Sequence, residues 1–195
     1  MHPTESCPDD ARAIKETRAW LSKIVIGLEL CPFAKPVHVK GQIRYRVSRA
    51  QTPEALLEDL IAELGYLREA DPDAVDTTLL VHPHVLTDFL DYNDFLSVVE
   101  VTLEELELDG VLQVASFHPD YLYAGNDRDD PANCVTRSPY PLLHLLREAS
   151  VDRAVAVFPD ASEIVNKNVD TLRTLGLDGF QRLIAQVRAE SSEAV

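Results

Sequence analysis

Apolar residues recur at steps of three and four along much of the chain, the pattern of amphipathic helices that each bury one side. The first helix is predicted over 10–31, because its apolar stripe ends at Cys31 and Pro32 disfavours helical geometry in the residue before it. The second begins at Pro53, behind a capping threonine. Further helices are predicted over 87–106, 141–149, 151–157, 161–175 and 178–188.

Two short apolar runs, 77–82 and 111–118, contain few polar residues and each ends before a proline, as expected of strands covered on both faces. Alternation around Lys40-Gly41 predicts a β-hairpin over 37–47, with one antiparallel edge strand. The short apolar run at 151–158 fits either a helix or a fourth strand, and we predict a helix.

The alternation of strands and helices predicts an α/β fold. We expect a single domain with a small, mixed, mostly parallel sheet of three to four strands, flanked by helices and followed by a helical C-terminal part. A length of 195 residues with 46% hydrophobic residues suits one core. The domain is predicted over 10–189, with residues 1–9 and 190–195 as disordered tails.

The net charge indicates which partners are disfavoured, and the cysteine content indicates the cellular compartment. Eighteen basic against 33 acidic residues give a net charge of −15, which disfavours binding to nucleic acid or anionic lipid. No apolar stretch approaches the roughly 20 residues of a membrane span, and the start lacks a signal-sequence pattern. Three cysteines without a C-x-x-C spacing fit a reducing compartment, so we expect a cytoplasmic protein.

The two predicted buried strands end in His-Pro pairs, which place His82 and His118 at strand termini. If the strands are parallel neighbours, the two imidazoles meet roughly 5 Å apart at the edge where open α/β sheets bind ligands. His82 and His118 are therefore candidate catalytic bases. With Glu148, or with His84, they are also candidate ligands of a transition metal such as zinc or iron. Alternatively, the prolines only end the strands.

A polar, turn-rich loop and the segment after it supply candidates for recognition of an anion. Arg137 and Arg147 could hold a carboxylate or phosphate bidentately, with donors added by Ser138 and the following backbone amides. Arg137 is therefore also a candidate catalytic residue, and a small anionic molecule is the expected ligand. Alternatively, the two arginines pair with structural carboxylates, as arginines in acidic proteins commonly do.

Other candidates are expected to line the same pocket. Cys31, at a predicted helix end that disfavours the thiolate, fits a buried structural cysteine better than a nucleophile. Phe33 and Tyr140 would stand beside it. His144 and Glu148 lie four residues apart on one face of a predicted helix, where they form either an acid–base pair or an ordinary surface pair.

Three motifs give the chain a resemblance to the bacterial family catalogued as domain of unknown function 1415 (DUF1415). The resemblance extends from the first helix to about Leu175. The family pattern commonly has Asn-Arg-Ser-Pro where this chain has Thr136-Arg137-Ser138-Pro139, and a small residue at the position of Cys134. The motifs are Gly27-Leu28 with Leu30-Cys31-Pro32-Phe33-Ala34, Ser116-Phe117-His118-Pro119, and Arg137-Ser138-Pro139-Tyr140-Pro141 with His144-Leu145-Leu146-Arg147-Glu148. Because the family has no assigned activity, the resemblance supports the choice of residues and implies no reaction.

Two functions are compatible with these features. The first is a small-molecule enzyme, with or without a metal, in which His82 and His118 act at the strand ends while Arg137 and Arg147 hold an anionic group. It requires the two histidines to lie within hydrogen-bonding reach of one substrate. The second is a non-catalytic binding or adaptor protein that recognises an anionic ligand or partner through the same arginines, and it predicts an exposed apolar patch.

Overall fold

The structure is a computed structural model that describes residues 10–157 and 161–192. Helices and strands alternate through the first two thirds of the chain. The helices are α1 (Asp10–Trp20), which continues as a π-helical segment (Leu21–Ile26), α2 (Ala34–Val39), α3 (Pro53–Glu69), α4 (Phe89–Glu105), α5 (Glu148–Val157) and α6 (Ala161–Ser192), with a short 3₁₀ helix (Pro131–Thr136). The strands are β1 (Ile43–Val47), β2 (Thr77–Val81), β3 (Leu112–Phe117) and β4 (Leu142–Arg147).

The four strands form one mixed sheet in the order β1-β2-β4-β3. β1 runs parallel to β2, whereas β4 is antiparallel to both of its neighbours. In this register His144 lies between Leu79 on β2 and Ala115 on β3. The predicted class, one α/β domain with a small mixed sheet flanked by helices and a helical C-terminal part, is confirmed. The expectation that the sheet is mostly parallel is wrong, because two of its three strand pairings are antiparallel.

The helix predicted over 141–149 is wrong, because residues 142–147 form the central strand β4. Leu142 packs on one side of the sheet and Leu143 and Leu145 on the other, so both faces of this strand are apolar. A strand buried on both faces loses the alternation by which strands are recognised. The antiparallel strand therefore lies in the centre of the sheet and not at its edge.

The β-hairpin predicted over 37–47 is also wrong. Residues 37–39 belong to α2, and β1 pairs with β2 instead of with a preceding strand. Gly41 has φ 72°, so the Lys40-Gly41 pair makes a turn, but it joins a helix to a strand. The alternation that favoured a hairpin comes from β1 alone.

The first helix ends earlier than predicted. After Ile26 the chain turns, and Glu29 adopts a left-handed φ of 56° before Cys31. The amide of Leu30 donates to the carbonyl of Val25, five residues back, which is the spacing of a π turn. Because each π turn accommodates an extra residue, the apolar stripe of the first helix does not continue as far as Cys31. Cys31 lies instead in the connection between the π-helical segment and α2.

Local signals located the remaining elements correctly. Thr52 caps α3 through the amide of Ala55, and Asp88 caps α4. The helix predicted over 151–157 is confirmed, and Phe158 lies outside the described residues. The last two predicted helices form α6, which is broken at Gly176 (φ 72°). Residues 190–192 continue α6 instead of forming a tail, and 1–9 and 193–195 lie outside the described part.

The two faces of the sheet are covered by different helices. α3 and α4 cover the face that carries Leu80, Leu143 and Leu145, all fully buried. α1, the π-helical segment and α6 cover the opposite face. Within the two described ranges, 10–157 and 161–192, no helix is both long and apolar enough to cross a membrane.

Candidate functional site

The sheet face beneath α1 and the π-helical segment is incompletely filled, which leaves a cavity of about 870 Å³. The floor is made by β2, β4 and β3, and the walls come from the π-helical segment, α2 and α5. Its lining is mostly apolar. The lining includes Trp20, Leu79, Ala115, Phe117, His144 and Leu146. The volume falls within the range of about 300–1,000 Å³ that is usual for small-molecule sites.

The end of the cavity near Trp20 and Phe117 is aromatic. The Trp20 and Phe117 rings meet edge to face with their centroids 5.5 Å apart, and the Phe117 centroid lies 6.2 Å from that of His144. Trp20 is held in place because its indole Nε1 donates to the carbonyl of Arg137 at 3.1 Å. Rings fixed in this way offer flat apolar surfaces to a bound molecule.

His144 lies on the middle strand of the cavity floor, beside the polar side chains of Thr77 and Gln113. Its Nε2 lies 2.8 Å from Oγ1 of Thr77 on the neighbouring strand. Burial in apolar surroundings lowers the pKa of His144 to about 4, so the imidazole is uncharged at neutral pH. The cavity therefore contains a neutral imidazole and not a cation.

The opposite end of the cavity has a polar rim. Ser150 Oγ donates to Asp76 Oδ1 at 2.6 Å, and Arg153 Nη2 donates to Ser150 Oγ at 2.8 Å. Lys40 and Asp73 complete the charged residues that line the cavity. Two basic side chains face two acidic ones, so the rim carries no net charge and gives no preference for an anion.

Cys31 and Phe33, two of the residues that the sequence suggested as ligand-binding candidates, line the same cavity. Burial raises the pKa of the Cys31 thiol, although the amides of Phe33 and Ala34 oppose that shift. The thiol is therefore protonated at neutral pH and behaves as an apolar wall group instead of a nucleophile. His144 is also present, but it lies on a strand and not on the predicted helix face.

His82 and His118 lie on the other face of the sheet, against α4. The strands that precede them point the same way, but β4 separates them, so the condition that β2 and β3 are neighbours is not met. Two strand spacings correspond to roughly 10 Å, twice the expected separation. Both imidazoles contact the ring of Tyr92, with centroid distances of 5.7 Å for His82 and 5.1 Å for His118.

Each of these two buried histidines is bound by nearby main chain. His82 Nδ1 donates to the carbonyl of Val85 at 3.0 Å. His118 Nε2 donates to the carbonyl of Leu86, while its Nδ1 accepts from the amide of Asp120. Burial lowers the pKa of His82 to about 4 and also lowers the pKa of His118. The geometry is that of histidines which fix the turns after β2 and β3.

The two arginines are engaged with main-chain carbonyls. Arg147 donates to the carbonyls of Ala70 and Val75 at the C-terminal end of α3. Arg137 donates to the carbonyls of Tyr121 and Arg128 and thereby holds the long loop before β4. Neither guanidinium lines the cavity.

Ser138 and Tyr140, two other predicted ligand-binding residues, also make internal contacts. The Ser138 hydroxyl donates to the carbonyl of Tyr140 at 2.6 Å. The Tyr140 hydroxyl donates to the buried carboxylate of Glu16 at 2.7 Å, which Arg12 also contacts. These bonds tie the segment before β4 to α1 and lie outside the cavity lining.

The structure separates the predicted metal ligands. His82 and His118 follow one end of their strands, whereas Glu148 follows the other end of β4, roughly 20 Å away along six residues. His144 and Glu148 are likewise not on one helix face, because His144 belongs to β4 and Glu148 begins α5. Across the described ranges 10–157 and 161–192, no three His, Cys, Asp or Glu side chains are grouped as a metal site.

Sequence reasoning missed Thr77, Gln113 and Ala115, which share the cavity floor with His144. Thr77 lies in a run that was recognised as a strand, but its role depends on the pairing of β2 with β4. Gln113 and Ala115 alternate with buried residues along β3, and that alternation was the available signal.

Comparison with known proteins identifies a family but no activity. The family model described as "Protein of unknown function (DUF1415)" matches residues 12–182, so the chain belongs to this family. Neither the curated proteins nor the solved structures include a match to the chain. The function has to be argued from the site itself.

Proposed function

We propose that this member of the DUF1415 family binds a small, mostly apolar organic molecule in the cavity over the sheet. The observation that carries the proposal is a cavity of about 870 Å³ whose mostly apolar lining contains one neutral imidazole. Apolar clefts with a few convergent polar groups are the usual form of small-molecule sites. Trp20, Leu79 and Phe117 would contact the apolar body of the ligand.

Binding accounts for His144 better than proton transfer does. A general base works best when its pKa lies near the working pH, because it must be both unprotonated and basic enough to accept a proton. With a pKa of about 4, His144 is unprotonated but weakly basic. We therefore assign His144 to ligand recognition. If an enzymatic reaction occurred at this site, the reactive group would have to be supplied by the ligand or by a further reactant.

The enzyme expected from His82, His118 and Arg137 is less well supported than this cavity site. His82 and His118 are fully buried on the other face, and Arg137 is occupied by carbonyls. The adaptor alternative rested on Arg137 and Arg147, both of which donate to main chain. The cavity, in contrast, has room for a small molecule and a mostly apolar lining that such a molecule can contact.

The proposal is tested by filling the cavity from its floor. Ala115 lies opposite His144 on β3, so the substitution Ala115→Phe places a ring in the space that a ligand would occupy. Trp20 is the only tryptophan of the chain and lines the cavity, so its fluorescence reports binding of the probe 4-tert-butylanisole. We expect saturable binding to the native protein, weakened at least about tenfold in Ala115→Phe.

Ala62→Phe is the matched control, since Ala62 lies on the exposed side of α3 and receives the same added ring. It should bind the probe as the native protein does. Circular dichroism establishes that both variants are folded. Equal affinity in the native protein and Ala115→Phe, or absence of saturable binding to the native protein, would overturn the proposal.

A further inference from the structure

The tautomer of His144 is determined by its neighbour on β2. Thr77 Oγ1 lies 2.6 Å from the carbonyl oxygen of Leu145, which can only accept a hydrogen bond. The single hydroxyl proton of Thr77 is therefore donated to Leu145. Thr77 can then only accept from His144 Nε2, 2.8 Å away, so the proton of the neutral imidazole is on Nε2.

That assignment leaves a lone pair on Nδ1 of His144. Among the described residues none donates a hydrogen bond to it, and the side chain lines the cavity. Leu79 and Ala115, which lie directly opposite His144 in the register, are apolar, whereas Thr77 and Gln113 are the other polar side chains of the cavity floor. A bound molecule that covers Nδ1 without supplying a donor leaves this acceptor unpaired at a cost, so a molecule that supplies the donor binds more tightly.

Charge in the ligand is disfavoured by the same surroundings. The four charged side chains of the lining are at the rim, where Lys40 and Arg153 are balanced by Asp73 and Asp76. An ionised group beside His144 would be removed from water without a counter-charge, which is far more costly than burial of a hydroxyl. The interior therefore favours neutral molecules.

We propose that the cavity selects uncharged molecules with an apolar body and a hydroxyl or N–H group that donates to Nδ1 of His144. The inference rests on the proposed function and adds the chemical class of the ligand. The apolar body lies against Trp20 and Phe117, and the donor group points to the floor at β4. Because one hydrogen bond to a buried acceptor is at stake, we expect a preference of about tenfold.

The test compares three probes of the same shape by isothermal titration calorimetry. 4-tert-Butylphenol supplies a donor, 4-tert-butylanisole replaces its proton by a methyl group, and 4-tert-butylbenzoate carries a charge. The native protein should bind the phenol about tenfold more tightly than the ether, and the benzoate most weakly. Tightest binding of the benzoate, or equal binding of phenol and ether, would overturn the inference and leave the proposed function standing.

The variant His144→Gln tests whether the preference for the phenol over the ether comes from Nδ1 of His144. Glutamine can keep donating to Thr77 but presents no acceptor where Nδ1 was. The phenol should then bind no better than the ether. A preference that persists in His144→Gln contradicts the assignment, and binding of neither probe to the native protein contradicts both proposals.

A measurement on the native protein alone keeps the test valid should the variant fail to fold. Formation of the hydrogen bond shifts the ¹⁵N resonance of His144 Nδ1, whereas the Nε2–H signal indicates the tautomer. We expect the phenol to shift the Nδ1 resonance and the ether to leave it unchanged. A protonated Nδ1 in the free protein, or identical spectra with both probes, would overturn the inference.

Discussion

The two faces of the sheet are built from alternate residues of the same strands, yet only one of them is filled. On the face covered by α3 and α4, Leu80, Leu143 and Leu145 are fully buried. On the opposite face, the end near Val81 is packed, whereas the end near Leu146 borders the cavity. Incomplete packing costs stability, so a large void confined to one face indicates a site rather than poor packing.

The histidines of the two faces differ in the same way. Both imidazole nitrogens of His118 are bonded to main chain, whereas His82 bonds through Nδ1 alone and its Nε2 is buried without a partner among the described residues. His144 uses one nitrogen for Thr77 and turns the other toward the cavity. Within the described part of the chain, both His82 and His144 have one nitrogen without a protein partner, but only His144 lines the cavity, so only His144 is placed to recognise a ligand.

The largest expected difference between the faces is in the cost of removing leucine. Leu80→Ala creates a new cavity in a filled core and should lower the free energy of unfolding by about 4 kcal/mol. Leu146→Ala only enlarges an existing space, so we expect a loss of about 1 kcal/mol. Urea denaturation measures both. Equal losses would mean that the two faces are packed alike.

A second prediction concerns acid sensitivity, to which both faces contribute, because burial lowers the pKa of His82 on the packed face and of His144 in the cavity to about 4. Burial lowers the pKa of His82 to about 4, below its ordinary value of about 6.5, so the unfolded state binds a proton that the folded state excludes. The stability from neutral His82 is therefore present above pH 6.5 and lost as the pH falls toward 4. The loss is on the order of 3 kcal/mol. His118, whose pKa is also lowered, acts in the same direction.

Denaturation curves between pH 7 and 4 test this expectation for His82→Gln against the native protein. The variant should lose less stability over this range, because it lacks the excluded proton. Parallel pH profiles of the two proteins would show that His82 is not held neutral by the packed face.

The third and smallest difference concerns two buried tyrosines. The Tyr92 hydroxyl donates to the carbonyl of Leu142 and accepts from the amide of Phe117, so Tyr92→Phe leaves two main-chain groups unpaired and should cost about 2 kcal/mol. The Tyr45 hydroxyl, on the cavity side of the sheet, is buried without a partner among the described residues. Tyr45→Phe should therefore change stability by about zero. Thermal unfolding compares the two, and a larger cost at Tyr45 would contradict this assignment of the bonds.

Most of the fold could be predicted from local signals. Each of these signals belongs to a single helix or strand, so the neighbouring sequence is sufficient to recognise it. They are the Thr52-Pro53 start of α3, the prolines after β2 and β3, and the apolar stripes of α4 and α6. β4 could not be recognised, because a central strand with leucines on both faces has no period of two. Its assignment depends on the strands beside it.

The candidate site was predicted only in part for the same reason. Cys31, Phe33 and His144 were chosen from motifs and do line the cavity. His82 and His118 were chosen on the assumption that β2 pairs with β3. That assumption fails, because β4 lies between the two strands. Thr77 and Ala115 acquire their roles only when β4 places His144 between them. Residues that act across strands need the strand order before they can be identified.

The most direct test of the cavity account is a titration with 4-tert-butylphenol followed by ¹H–¹⁵N correlation spectra of the native protein. We predict saturable shifts at Thr77, Ala115, His144 and the Trp20 indole, with Leu80 and Tyr92 on the packed face nearly unchanged. Shifts centred on the packed face, or none at saturating probe, would contradict the claim that the unfilled face is the binding site.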